Sequence, residues 1–210
     1  MENTFVFKRN SKILFIILIV IGLLSLGYGI FSHEIHGHRI WSNILLNNFY
    51  FLAVALGALV FVVVHILADS GWHVSIVRIP EAMSMYIPVA SVLMILILIG
   101  AHDIYHWTHT EHLDEILLHK KPYLNMPFFS IRMVIYLVGW IFFAWKIRQL
   151  SIKNDIEGDL KYFKTSRTYA ALFIVFFAIT SSTSAWDWLM SIDAHWFSTL
   201  YGWYIFSSIF

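Results

Sequence analysis

The sequence predicts an all-α fold: a polytopic transmembrane helix bundle with about five complete spans and the start of a sixth. Three observations predict it. Apolar residues make up 59 % of the 210 residues and charged residues only 13 %, against roughly 25 % charge in a soluble domain. The apolar residues come in blocks of about 20, the length a helix needs to cross about 30 Å of hydrocarbon at about 1.5 Å per residue. Aromatic rings that anchor helices at headgroup level gather at the block edges, as Trp41, Trp72, Trp107, Tyr123, Trp145, Trp186 and Trp196.

Residues 1–12 read as a cytoplasmic N-terminus, with Lys8, Arg9 and Lys12 leading into a first span over 13–31. A secretory signal carries an apolar core of only about 7–15 residues and ends in a small-residue cleavage site. This run is 19 residues long and leads into Phe31, Ser32, His33 and Glu34, so a retained span is predicted.

Residues 44–190 read as a four-helix transmembrane bundle. Its spans are expected over 44–68, 85–107, 126–147 and 169–190. Segment 72–84, with Arg78 and Glu81, has mixed polarity and is expected along the cytoplasmic interface before Pro88 enters the third span. Residues 148–168 are expected as a cytoplasmic loop, with 151–166 its clearly water-soluble part. From Trp196 an apolar run begins again and the sequence stops inside it, at Phe210. A helix cut in mid-span would leave its last carbonyls unpaired in lipid, so residues 196–210 are expected to start a further span of a longer protein. The sequence shows no internal repeat.

Lys and Arg bias in short loops sets orientation. With the N-terminus in the cytoplasm, the inner segments hold Lys8, Arg9, Lys12, Arg78, Lys146, Arg148, Lys153, Lys161, Lys164 and Arg167. The outer loops hold Arg39, Lys120 and Lys121, a bias of 10 to 3. Cysteine is absent, which excludes disulfides, Cys-ligated zinc, Cys-held iron–sulfur clusters and thioether-attached haem within this chain. The net charge of +1 gives no reason to expect a nucleic-acid partner.

Ionisable groups inside spans are costly and usually face the bundle interior or water. The orientation sorts them into two levels. His102, Asp103 and His106 end the third span on the outer side. Arg132 sits about two turns into the fourth, Asp187 ends the fifth, and Asp193 follows it. His65 and Asp69 lie near the inner side, at the end of the second span. His102 and His106 are four residues apart and would share a helix face. The outer loop adds His33, His36 and His38. Interfacial packing, a proton relay and a metal all remain open for this group, and no metal is assigned. Histidine titrates near neutral pH, which is what a relay needs.

An arginine as deep as Arg132 needs a carboxylate, and Asp187 is the obvious partner, with Asp103 second. The pair could lock helices together, or form an entry point for protons or a quinone headgroup. Thr180, Ser181, Ser182, Thr183 and Ser184 are five consecutive hydroxyl residues. They suit either close helix packing or a hydroxyl-lined proton path.

The run from Ser181 through Ala185-Trp186-Asp187-Trp188-Leu189-Met190-Ser191-Ile192-Asp193-Ala194-His195-Trp196 to Tyr204 resembles a signature of the large membrane subunits of alternative complex III. That complex is a bacterial quinol:cytochrome c, or quinol:acceptor, oxidoreductase. The segment from His38-Arg39-Ile40-Trp41 to Phe51, the motif Arg78-Ile79-Pro80-Glu81-Ala82-Met83, and Tyr123-Leu124-Asn125-Met126-Pro127-Phe128-Phe129 also look like it. The chain is thus similar to NrfD-like and polysulfide reductase C-like membrane subunits. The resemblance implies ten spans, of which this chain holds about the first half, in a bacterial inner membrane. It implies a second NrfD-like subunit, a periplasmic iron–sulfur subunit, c-type cytochrome subunits and a terminal oxidase as partners. Haem c and iron–sulfur clusters would sit in those partners, with no redox centre here. Menaquinone or ubiquinone would be the nearby lipid-soluble carrier. The matched polar positions are Asp187, Asp193 and His195, with Arg78 and Glu81 in the inner motif. Two other readings stand beside it: a stand-alone proton or small-solute transporter, and a b-type cytochrome with His65 as a ligand. Against the cytochrome, His65 and His102 are expected at opposite depths, whereas haem-bearing bundles supply ligands at matching depth.

Overall fold

The computed structural model describes residues 7–31, 37–109 and 114–209. These residues are helical wherever they are regular, with no strand among them. Five helices are long and apolar enough to cross a membrane. The first is α1 (Arg9–Phe31) and the second α2 (Gly37–Leu67). The third is assembled from α3 (Arg78–Ser84) and α4 (Ile87–Ile97), followed by a short α5 (Ala101–Ile104). A short helix α6 (Glu115–Lys120) precedes two long helices, α7 (Met126–Glu157) and α8 (Leu160–Trp188). The chain closes with α9 (Leu200–Ile209), inside the apolar run expected to start a further span.

Three boundaries differ from expectation, each for a local reason. The third span begins earlier and is broken. Pro88 sits in the first turn of α4, where its missing N–H is harmless, so the chain restarts a helix there. The segment expected along the interface is instead a 3₁₀ turn at Trp72–Ser75 and then α3, whose Pro80, Glu81 and Ser84 are buried.

The stretch 148–168, expected as a loop, is the joined ends of α7 and α8. Gly158 takes the left-handed conformation at φ 64° and caps α7, its N–H reaching the Asn154 carbonyl. Asp159 then caps α8 by accepting from the Lys161 N–H at 2.9 Å. A left-handed glycine followed at once by an acidic N-cap turns the chain in two residues. The polar stretch is therefore solvated helix.

Helix α2 lies at the centre, against α3, α4, α8 and α9, while α7 and α8 pack along each other. The core is aromatic: Trp140, Trp188, Phe129, Phe173 and Phe177 are fully buried beside Leu52, Leu59 and Met94. By contrast only 6 % of the α1 window is buried. Its apolar side chains point outward all round, as suits lipid, where no water drives helices together.

The polar groups collect at two ends. The hairpin end holds the α7–α8 turn and the α2–α3 connection, tied by Arg78–Asp155 and Arg167–Asp69. The distal end holds α5, α6 and the chain after α8. Gly29 of α1 lies against Ile40 of α2, so α1 starts from the hairpin end, and Lys8, Arg9 and Lys12 join Arg78, Lys153, Lys161 and Arg167 there. Arg39, Lys120 and Lys121 lie at the distal end.

Candidate functional site

The strongest polar constellation lies at the distal end, between α7 and α8. Arg132 projects from the second turn of α7, and Asp187 from the last turn of α8. Arg132 Nε reaches Asp187 Oδ2 and Nη2 reaches Oδ1, both at 2.8 Å. This is a two-pronged contact in which the planar guanidinium matches the carboxylate. Asp187 is 0 % exposed and Arg132 8 %. The Tyr136 hydroxyl, one turn below Arg132, donates to Asp187 Oδ2 at 3.1 Å. Arg132 Nη1 donates to the Tyr123 carbonyl at 3.1 Å, and its guanidinium lies 3.9 Å from the Tyr123 ring centre and 4.3 Å from that of Phe128. All three guanidinium nitrogens are thus hydrogen-bonded, and two aromatic rings lie against the group. Burial pushes the Tyr123 phenol up from its ordinary value.

The run that follows Asp187 continues this unit. The Ser191 hydroxyl bonds the Asp187 carbonyl, and the Trp188 carbonyl accepts from the Tyr105 hydroxyl at 3.0 Å. The Ala194 carbonyl accepts from Lys120 Nζ at 2.5 Å. Gly202 of α9 packs closely on α8: a Cβ there would lie 3.0 Å from Trp186 Nε1 and 3.2 Å from Ser182 Cβ, so a neighbour would have to give. That close approach is the packing the hydroxyl run allows. Thr180, Thr183 and Ser184 bond back to carbonyls of their own helix at 2.8, 2.9 and 3.0 Å, a frequent use of such residues within helices. Thr180 also accepts from Trp140 Nε1 at 3.0 Å.

Asp193 and His195 stand at the surface of this end. His195 Nε2 lies 2.6 Å from Asp114 Oδ2, and its backbone N–H reaches Asp193 Oδ1 at 3.1 Å. The Leu117 N–H, which Asp114 caps, and the His195 ring together hold Asp114 below the ordinary carboxylate range.

The expected His102/His106 face does not form. The helix stops at Ile104, and Tyr105 is extended at φ −107° and ψ 108° before a 3₁₀ turn starts at His106. The cause is tertiary: the Tyr105 ring is buried among Trp107 and Phe129, with its hydroxyl tied to Trp188. His102 instead meets Thr108 at 3.0 Å and lies against the tilted His109 ring, with ring centres 3.9 Å apart. Asp103 does not join the Arg132 pair. Among the described residues no group of three or more His, Asp or Glu is arranged to hold a metal ion. His33 and His36 lie outside the described residues.

At the hairpin end His65 Nδ1 donates to the Phe61 carbonyl at 2.7 Å, and its ring lies 5.3 Å from that of His73. Asp69, in a left-handed conformation at φ 50°, pairs with Arg167 at 2.9 Å. The structure therefore unites Arg132 with Asp187, and separates both from His65 and Asp69. Sequence reasoning missed Tyr136, Tyr105, His109 and Asp114, and reads Tyr123 as an interfacial anchor and motif residue without its contact to Arg132. Tyr136 alone had a readable signal: it stands four residues after Arg132, on the same face. No protein-family model matches the chain, and no curated protein matches it.

Proposed function

We propose that this chain is a non-redox integral membrane subunit of a respiratory quinol:acceptor oxidoreductase of the alternative complex III type. Its N-terminus and α7–α8 hairpin face the cytoplasm and its distal end faces the periplasm. One observation carries the reading: the run that resembles the family signature is also the run that closes the distal end. Asp187 ties it to α7, Lys120 and Asp114 tie it to α6, and Gly202 seats α9 on Trp186. In this reading the Arg132–Asp187 pair is a scaffold element, since both Asp187 oxygens and all three guanidinium nitrogens are held by fixed neighbours. The whole protein has ten spans, with this chain as its N-terminal part, and redox centres reside in iron–sulfur and c-type cytochrome partners.

In this reading a quinone headgroup would sit at the distal end. A cavity of about 360 Å³ at the distal end is walled by Tyr123, Trp186, Trp196 and Phe197, with His119 and Lys120 at its edge. That volume lies within the usual range for ligand sites, about 300–1,000 Å³. The aromatic walls would face the ring, and the His119 imidazole would meet a carbonyl. Bound there, menaquinone or ubiquinone would carry electrons and protons between the membrane and the partner subunits.

Purification of the full-length tagged protein from its native membrane tests the proposal. Co-purification of c-type haem and iron–sulfur subunits is the expected result; a colourless protein that purifies alone and conducts ions would overturn it. For orientation, Ile156→Cys should resist an impermeant thiol reagent in intact cells while Lys121→Cys reacts, and the reverse pattern would invert the topology.

A further inference from the structure

A second buried carboxylate lies at the opposite end and belongs to no lock. Glu81 of α3 is 3 % exposed. One oxygen, Oε2, is held by Arg78. The other, Oε1, has no hydrogen-bond partner among the described residues. A buried acceptor left unpaired is costly, and native structures rarely keep one without a use for it. Glu81 lines a cavity of about 320 Å³ together with Asp69, His73, Asn154, Asp155 and Ser166. The rim of this cavity is wet: the side chains of Asp69 and Asp155 are 50 % and 60 % exposed.

The charges around Glu81 do not cancel. From α3 comes Arg78, which also bonds Asp155 of α7. From α8 comes Arg167, which is taken by Asp69. His73, in the α2–α3 connection, has Nδ1 within 2.6 Å of the Ser70 carbonyl and within 2.9 Å of its hydroxyl. Two guanidinium groups thus face three carboxylates. Asp69 and Asp155 are open to water, and Glu81 is the one carboxylate of the three that is buried.

We propose that Glu81 is a proton-binding site loaded through this cavity from the water at the hairpin end. The proton leaves a water-borne carrier and forms an O–H bond at Oε1, turning the carboxylate into a neutral carboxyl. Arg78 stays paired with Asp155, so the triad of Arg78, Glu81 and Asp155 passes from one surplus negative charge to none. Release reverses the same step. Arg78 holds Oε2 and leaves Oε1 as the oxygen without a partner among the described residues.

Infrared difference spectra of the full chain in lipid nanodiscs, between alkaline and acidic buffer, test this. The expected result is a protonated-carboxyl C=O band that shifts in D₂O, vanishes in Glu81→Gln and persists in Asp69→Asn. In Asp155→Asn the ionised Glu81 is balanced by Arg78, so the band should appear only at lower pH, a shift that a purely structural role would not produce. Persistence of the band in Glu81→Gln, no such band while the chain stays folded, or its displacement by sodium or potassium at fixed pH would each overturn the proposal; the last would make the cavity a cation site. If Glu81→Gln loses its helical circular dichroism, a hydrophobic carbodiimide, which attacks protonated carboxyls, serves on the unaltered chain. Labelling at Glu81 above Asp69 and Asp155, rising as pH falls, supports the site. Labelling confined to the two exposed carboxylates refutes it.

Discussion

At the distal end Asp187 is 0 % exposed, its two oxygens are matched by one guanidinium, and Tyr136 adds a third bond. At the hairpin end Arg167 and Asp69 meet at a similar distance, 2.9 Å, with side chains 54 % and 50 % exposed. The separations are nearly equal and the energetics are not. An exposed pair gains little, because water screens it and both side chains lose rotamer freedom. A buried pair is expensive to assemble and far more expensive to break, since removal of one partner strands a charge in an apolar core. The distal end is therefore a lock whose parts fail together, and the hairpin end a set of separable contacts that leaves Glu81 Oε1 free.

The largest expected effect is at the lock. Asp187→Asn or Arg132→Met should each destabilise the chain by about 3–5 kcal/mol, read from denaturant titrations in a lipid–detergent mixture. The matched change Asp155→Asn should cost under about 1 kcal/mol; equal costs at the two ends would erase the distinction between them. Next comes Tyr136→Phe, which removes one hydrogen bond to a charged group and should cost about 1.5–3 kcal/mol. A negligible loss would mean that Arg132 alone satisfies Asp187.

A smaller effect is expected for Asp69→Asn. Asparagine tolerates the left-handed backbone at φ 50°, so the change isolates the charge. The loss should stay under about 1 kcal/mol and shrink further in high salt. The smallest concerns Asp114, whose carboxyl is held low by the Leu117 N–H and by His195. A carboxyl depressed in the folded state contributes stability above its unfolded pKa of about 3.9, and that contribution is lost as pH falls through the folded value. Asp114→Asn keeps an N-cap acceptor but removes the charge. The variant should melt below the native chain at neutral pH, and the two curves should converge below about pH 4. Parallel curves down to acid would remove Asp114 from the account.

The parts of this arrangement that were readable were those fixed by solvent. Block lengths and aromatic edges place helices because hydrocarbon has a definite thickness. The Arg132–Asp187 pair was readable because two charges in neighbouring apolar helices must find each other. The α7–α8 hairpin was misread as a loop, although Gly158 followed by Asp159 spells a C-cap and an N-cap in succession. Polar composition there marks water contact and does not distinguish solvated helix from coil. The break at Tyr105 had no local signal, since it is held by a hydrogen bond to Trp188, 83 positions away, and it dissolved the His102/His106 face. The burial of Glu81 was equally hidden, because it depends on α2 and α7 packing against α3.

A double-mutant cycle on Arg132 and Asp187 tests the lock most directly. The single changes Arg132→Met and Asp187→Leu and the double change are unfolded under one set of conditions. A structural lock predicts that the double change is less damaging than either single, so that the coupling exceeds the larger single loss of about 3–5 kcal/mol. Losses that add to within about 0.3–0.5 kcal/mol, as for independent sites, would contradict it.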